Sequence, residues 1–126
     1  MDINIEEDFK VDEQTALFEV NRLGHLLSRY ATLSADARAV AAREKFNYDE
    51  VSAQEALRIR SESVKITEVA IKEKLILSPL VKEAKEKLVK AEREQDLLEG
   101  LWRAIQKKSD IIVAILYYKR SEMKAY

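Results

Sequence analysis

The residues best suited to chemistry lie in one short segment, Val-Ala-Ala-Arg-Glu-Lys-Phe-Asn-Tyr at positions 40 to 48. Arg43 and Lys45 can each reach a phosphate, and Phe46 and Tyr48 can offer aromatic faces to unstacked bases. Interleaved cations and aromatics are what sequence-tolerant single-strand binding uses, each stacked base contributing roughly 1–3 kcal/mol. Arg58, Arg60 and Lys65 follow shortly afterwards and extend the same basic track. A plainer reading uses the same letters: Phe46 and Tyr48 as core residues and the cations as a solvated fringe. Catalytic constellations are missing from the sequence. His25 is the only histidine and has no cysteine to partner it, and the carboxylates alternate with Lys and Arg as on solvated helix faces. No cluster has metal-ligand spacing, and no glycine-rich loop could cradle a phosphate. The expectation is therefore a binding protein, not an enzyme, with no cofactor and no metal.

The elements that must carry this segment are few and long. Among 126 residues there are only two glycines and one proline, while 36% are charged and 47% hydrophobic. Frequent tight turns need more glycine and proline than that, and the richness in Ala, Glu, Lys, Leu and Arg is that of long helices. The length suits a single domain. Absence of cysteine excludes disulfides and fits a reducing cytoplasm. No apolar run approaches the ~20 residues of a membrane span, and the acidic start does not read as a signal peptide. Net charge is −1 but uneven: seven acids precede residue 20 against Lys10 alone, which leaves the rest mildly basic. Such a distribution is compatible with nucleic-acid binding without requiring it.

Residues 1–11 lack helical periodicity and read as an acidic arm, either mobile or strapped down. The single helical domain spans 12–126. Its first helix is expected over 12–58, with Asp12 as N-cap and a 4–3 seam through Ala16, Val20, Leu23, Leu27, Tyr30, Ser34, Ala37, Ala41, Glu44, Tyr48 and Val51. Residues 59–78 read as a connector. Val64 and Ile66 alternate with polar neighbours as in a very short strand, and a short helix capped by Thr67 runs from Glu68 to Leu77. Ser78-Pro79 restarts the chain as an N-cap with proline at the first helical position. The last helix, 79–120, carries Val81, Ala84, Leu88, Ala91, Gln95, Leu98, Trp102, Ile105, Ser109, Ile112 and Leu116 on an unbroken 3–4 step. At ~1.5 Å per residue it is roughly 60 Å long, and such a stripe cannot stay uncovered. The predicted fold is all-α: a long antiparallel, coiled-coil-like helical hairpin with a short middle helix, assembling into a homo-oligomer. Leu98, Trp102, Ile105, Ile112 and Leu116 are the expected interface between copies. Gln95 and Ser109 on the seam would set register, and Gly100 would permit a close helix approach beside Trp102.

Two segments together resemble one family. The 40–48 stretch is similar to Val-Ala-Leu-Lys-Ala-Arg-Leu-Asp-Tyr of the bacteriophage UvsY recombination mediators. Residues 100–115, Gly-Leu-Trp-Arg-Ala-Ile-Gln-Lys-Lys-Ser-Asp-Ile-Ile-Val-Ala-Ile, resemble that family's C-terminal helix in the glycine, the Ala-Ile pair, a basic residue and the later isoleucines. Order and separation of the two segments are also similar, whereas the stretch between them is only loosely comparable. The resemblance implies a phage accessory protein, acting in the host cytoplasm, that binds single-stranded DNA as a ring-like homo-oligomer. Such a protein helps a RecA-type recombinase replace the single-strand-binding protein. It also implies that the two basic DNA-contact positions fall on Arg43 and Lys45, with Arg and Lys exchanged, so that charge is kept but hydrogen-bond geometry is not. The acidic arm would then mimic nucleic acid toward a basic partner, or simply be a tail.

Two other readings share the seam. A structural or adaptor coiled coil gives Arg43 and Lys45 no task. A prefoldin-like holdase would need β-hairpins, for which residues 59–78 lack glycine turns, and an exposed apolar run at a helix tip, which the sequence does not suggest.

Overall fold

The computed structural model describes residues 3–12, 16–62 and 65–124. It is helical throughout, with no strand among the described residues: α1 (Ile5–Asp8), α2 (Ala16–Glu62), α3 (Glu68–Leu77) and α4 (Pro79–Lys124). The long pair α2 and α4 pack together, and the chain divides into two compact units, Met1–Ala35 with Leu97–Tyr126, and Asp36–Asp96.

In the first unit the partners run antiparallel. Ala16 and Leu23 cluster with Ile112, and further along α2 Leu26 and Tyr30 cluster with Ile105. The acidic arm is a strap here. Asn4 caps the single turn of α1 by accepting the Glu7 amide at 3.2 Å, and Ile3 and Phe9 pack on the Leu26–Tyr30–Ile105 cluster. Phe9 meets Tyr30 edge-on, with ring centroids 5.5 Å apart. Beneath the strap lies a buried polar network. The Tyr30 hydroxyl donates to Asp8 Oδ2 at 2.8 Å, Arg22 donates to Asp8 Oδ1 at 3.0 Å, and the Lys108 ammonium donates to Glu19 Oε2 at 2.8 Å and to the Asp8 carbonyl at 2.6 Å. Asp8 is only 5% exposed and Lys108 only 2%. Buried charges persist when paired and hydrogen-bonded, and here each is.

In the second unit Ala37, Ala41 and Ile59 are buried on α2, Ile71 on α3, and Val81, Ala84, Leu88 and Ala91 on α4. The turn chemistry follows the sequence. Thr67 Oγ1 accepts the Ala70 amide at 3.2 Å to start α3. Ser78, in extended conformation, closes α3 through its amide to the Leu75 carbonyl (3.2 Å), and its hydroxyl lies 3.5 Å from the Val81 amide at the head of α4. That hydroxyl also donates to Glu55 at 3.1 Å, tying the start of α4 to α2. The Arg58 guanidinium, with help from Ser78, holds the Glu55 carboxyl below its usual range.

Three expectations change. The connector does not begin at Ile59: α2 continues to Glu62, because Ile59 falls four residues after the buried Glu55 and is itself buried, and no glycine or proline interrupts the turn. Val64, half of the proposed strand, and residues 13–15 after the Asp12 cap lie outside the described residues. α4 runs on to Lys124, past residue 120. Finally, Leu98, Ile105 and Ile112 are buried within one chain, and Trp102 and Leu116 pack half-buried against the same clusters. The stripe expected between copies is spent inside the protomer.

Gly100 does not mark a close approach within the chain, since a Cβ there would meet nothing within 4 Å. Gly100→Ala is therefore expected to raise unfolding stability by about 1 kcal/mol, measured by urea denaturation followed by circular dichroism; a loss of stability would mean that another surface needs that gap.

Candidate nucleic-acid interface

The 40–48 segment sits in the uninterrupted body of α2. Its buried side is set by Ala37 and Ala41, continued by the half-buried Glu44 and Tyr48. Phe46 then falls on the opposite side, 72% exposed, with Arg43 exposed one turn before it. An aromatic ring that large left in water departs from the core placement that the plainer reading assigned to it. Neither Arg43 nor Lys45 forms an ion pair or hydrogen bond with another described residue. They do not share a face: two residues of helix turn the chain by about 200°, so Arg43 accompanies Phe46 while Lys45 accompanies Tyr48.

The proposed extension of the track is not free. Arg58 bonds Glu55 at 3.1 Å and also pairs with Glu62, and Arg60 pairs with Glu68 at 3.3 Å. Both cations are already answered by carboxylates. Lys65 is exposed in the turn before α3.

Tyr48 is half-buried, and its surroundings were not foreseen. The Lys85 ammonium of α4 lies 5.2 Å from the Tyr48 ring centroid. Tyr48, Lys85, Ile76, Val81, Lys82 and Glu86 line a shallow groove of about 310 Å³, to which α2, α3 and α4 all contribute. A cation–π contact at an exposed site is worth about 0.5–1 kcal/mol, less than the roughly 1–3 kcal/mol of a base stacked on an aromatic side chain. Sequence spacing could not reveal Lys82 and Lys85 as neighbours of Tyr48, because that depends on the register between helices.

Apolar exposure is heavier than the sequence suggested. Val69, Ile76 and Leu77 of α3 and Leu80 at the head of α4 are all exposed, an apolar surface near the helix ends of the kind a holdase would need. In the first unit, Ile111, Val113, Tyr117 and Tyr118 are exposed on α4, while Ile112 is fully buried. His25 is exposed on α2. Among the described residues no three His, Cys, Asp or Glu side chains converge to hold a metal ion, and no helix is long and apolar enough to cross a membrane. Compared with family profiles, curated proteins and solved structures, this chain has no match.

Proposed function

We propose that this protein is a non-enzymatic accessory factor of DNA recombination, of the UvsY mediator type, that binds single-stranded DNA through α2. In this reading it works in the cytoplasm of a phage-infected host and helps a RecA-type recombinase displace the single-strand-binding protein. The observation that carries the reading is Phe46, exposed beside Arg43, which pairs with no other described residue. A protein gains nothing in stability from leaving that ring in water, whereas a stacking platform requires it. Each single site is weak, so the function rests on many copies acting along one strand, where effective concentration multiplies affinity.

Assembly is part of the proposal, and its surface is not the seam. The run Ile111–Tyr118 is apolar at every position, and a helix apolar all round is one covered on more than one side. Ile112 faces the intramolecular core, which leaves Val113 (59% exposed) and Tyr117 (74% exposed), one turn apart, for a second copy. The double change Val113→Glu with Tyr117→Glu should reduce a species larger than a dimer to a monomer in light scattering while helicity is retained. A wild-type monomer at high concentration would remove the ring from the account.

The DNA-binding reading is tested by titrating fluorescent oligo-dT at stepped salt concentrations. Affinity should fall steeply as salt rises. No binding at low salt eliminates it, and the exposed Val69, Ile76, Leu77 and Leu80 would then favour a protein-docking adaptor or holdase.

A further inference from the structure

We propose that the groove beside Tyr48 receives one unstacked base of single-stranded DNA, with the adjoining phosphates held by Lys82 and Lys85. The proposal rests on the DNA-binding reading and adds to it a second contact, built from three helices and distinct from the Arg43–Phe46 face.

Three features converge there. Tyr48 presents an aromatic ring already attended by a cation, the Lys85 ammonium 5.2 Å from its centroid. Ile76 and Val81 give apolar walls, and the groove volume of about 310 Å³ is large enough for a pyrimidine. Lys82 and Lys85 supply two positive charges at the rim, and Lys45, three residues before Tyr48 on α2, adds a third along the same flank. Glu86 is the one carboxylate in the lining. Its charge repels phosphate, so the backbone runs on the lysine side and the base turns inward. The lysine stem is long and flexible. When a base arrives, the weaker cation–π contact yields to the stack, and the freed Lys85 ammonium swings onto the phosphate. The groove thus exchanges an internal partner for an external one without leaving its ring or its cation unpaired.

The test uses the full chain, with oligo-dT and an abasic strand of equal length as probes. Lys82→Ala with Lys85→Ala should weaken oligo-dT binding at least fivefold and reduce the slope of log affinity against log salt by about 1.4, as expected for two single-strand phosphates. Tyr48→Phe should bind like wild type, and Tyr48→Leu should lose at least threefold on oligo-dT but little on the abasic strand. Both lysines are exposed, so helicity should be unchanged and serves as the folding control. If the lysine pair and Tyr48→Leu bind oligo-dT as wild type does, while Arg43→Ala is weakened, the groove proposal falls and the DNA-binding reading stands. If wild type binds neither probe at low salt, both fall.

Discussion

Lys108→Met is expected to lower the unfolding free energy by about 3–5 kcal/mol, the range for removing one partner of a buried ion pair. The methionine keeps most of the buried stem, so the loss isolates the ammonium. Without it, Glu19 keeps Arg22, at 3.4 Å, as its partner among the described residues, and the Asp8 carbonyl loses its 2.6 Å donor. Urea denaturation followed by circular dichroism measures the difference, and a loss under about 1 kcal/mol would show that the network is not coupled to folding. Adding Glu19→Met should recover much of the deficit, since apolar replacement of a whole buried pair is often neutral. The same network gives a signature in alkali. Burial, and after it the bond to Asp8, pushes the Tyr30 hydroxyl up to about 12, against about 10 in the unfolded chain. The neutral phenol is the form the fold prefers, so its contribution is intact below pH 10 and declines as pH rises from 10 to 12. Tyr30→Phe should flatten that decline.

The second large effect is on binding. Arg43→Ala with Lys45→Ala should weaken oligo-dT affinity at least tenfold at low salt. The two cations lie on different sides of α2, so the single changes should act nearly independently, each reducing the salt slope by about 0.7. Phe46→Leu keeps an apolar side chain but no ring, and should cost a further threefold or more with an unchanged slope. That separation between charge and stacking is what a backbone-plus-base contact requires. Since Arg43, Lys45 and Phe46 are all exposed, the folded state should lose little. A double variant that binds as wild type does would move the site elsewhere.

The helices were largely legible in the sequence, for reasons that particular residues make plain. The 3–4 step from Val81 to Leu116 marked a face, and every position on it is buried or half-buried. Thr67 and Ser78-Pro79 marked the ends of α3 and the start of α4 because capping chemistry is local. What covers a stripe is not local, and so the seam given to neighbouring copies is filled by the chain's own first helix. Nothing in the spacing of the last helix singled out Lys108. Its partners Glu19 and the Asp8 carbonyl come from far away in the chain. Ser61 and Glu62 read as a break, but Ile59 was still in register with the buried face. At the candidate site, the sequence left Phe46 open between core and stacking platform until its 72% exposure decided it, and Lys82 and Lys85 needed the fold to reach Tyr48.

Photochemical crosslinking with bromodeoxyuridine-substituted oligo-dT tests the central claim most directly. Wild type at low salt should yield adducts on the peptide holding Phe46 and Tyr48, reduced by Arg43→Ala with Lys45→Ala. Adducts confined to Met1–Ala35 and Leu97–Tyr126, or none at all, would contradict the assignment of DNA contact to α2.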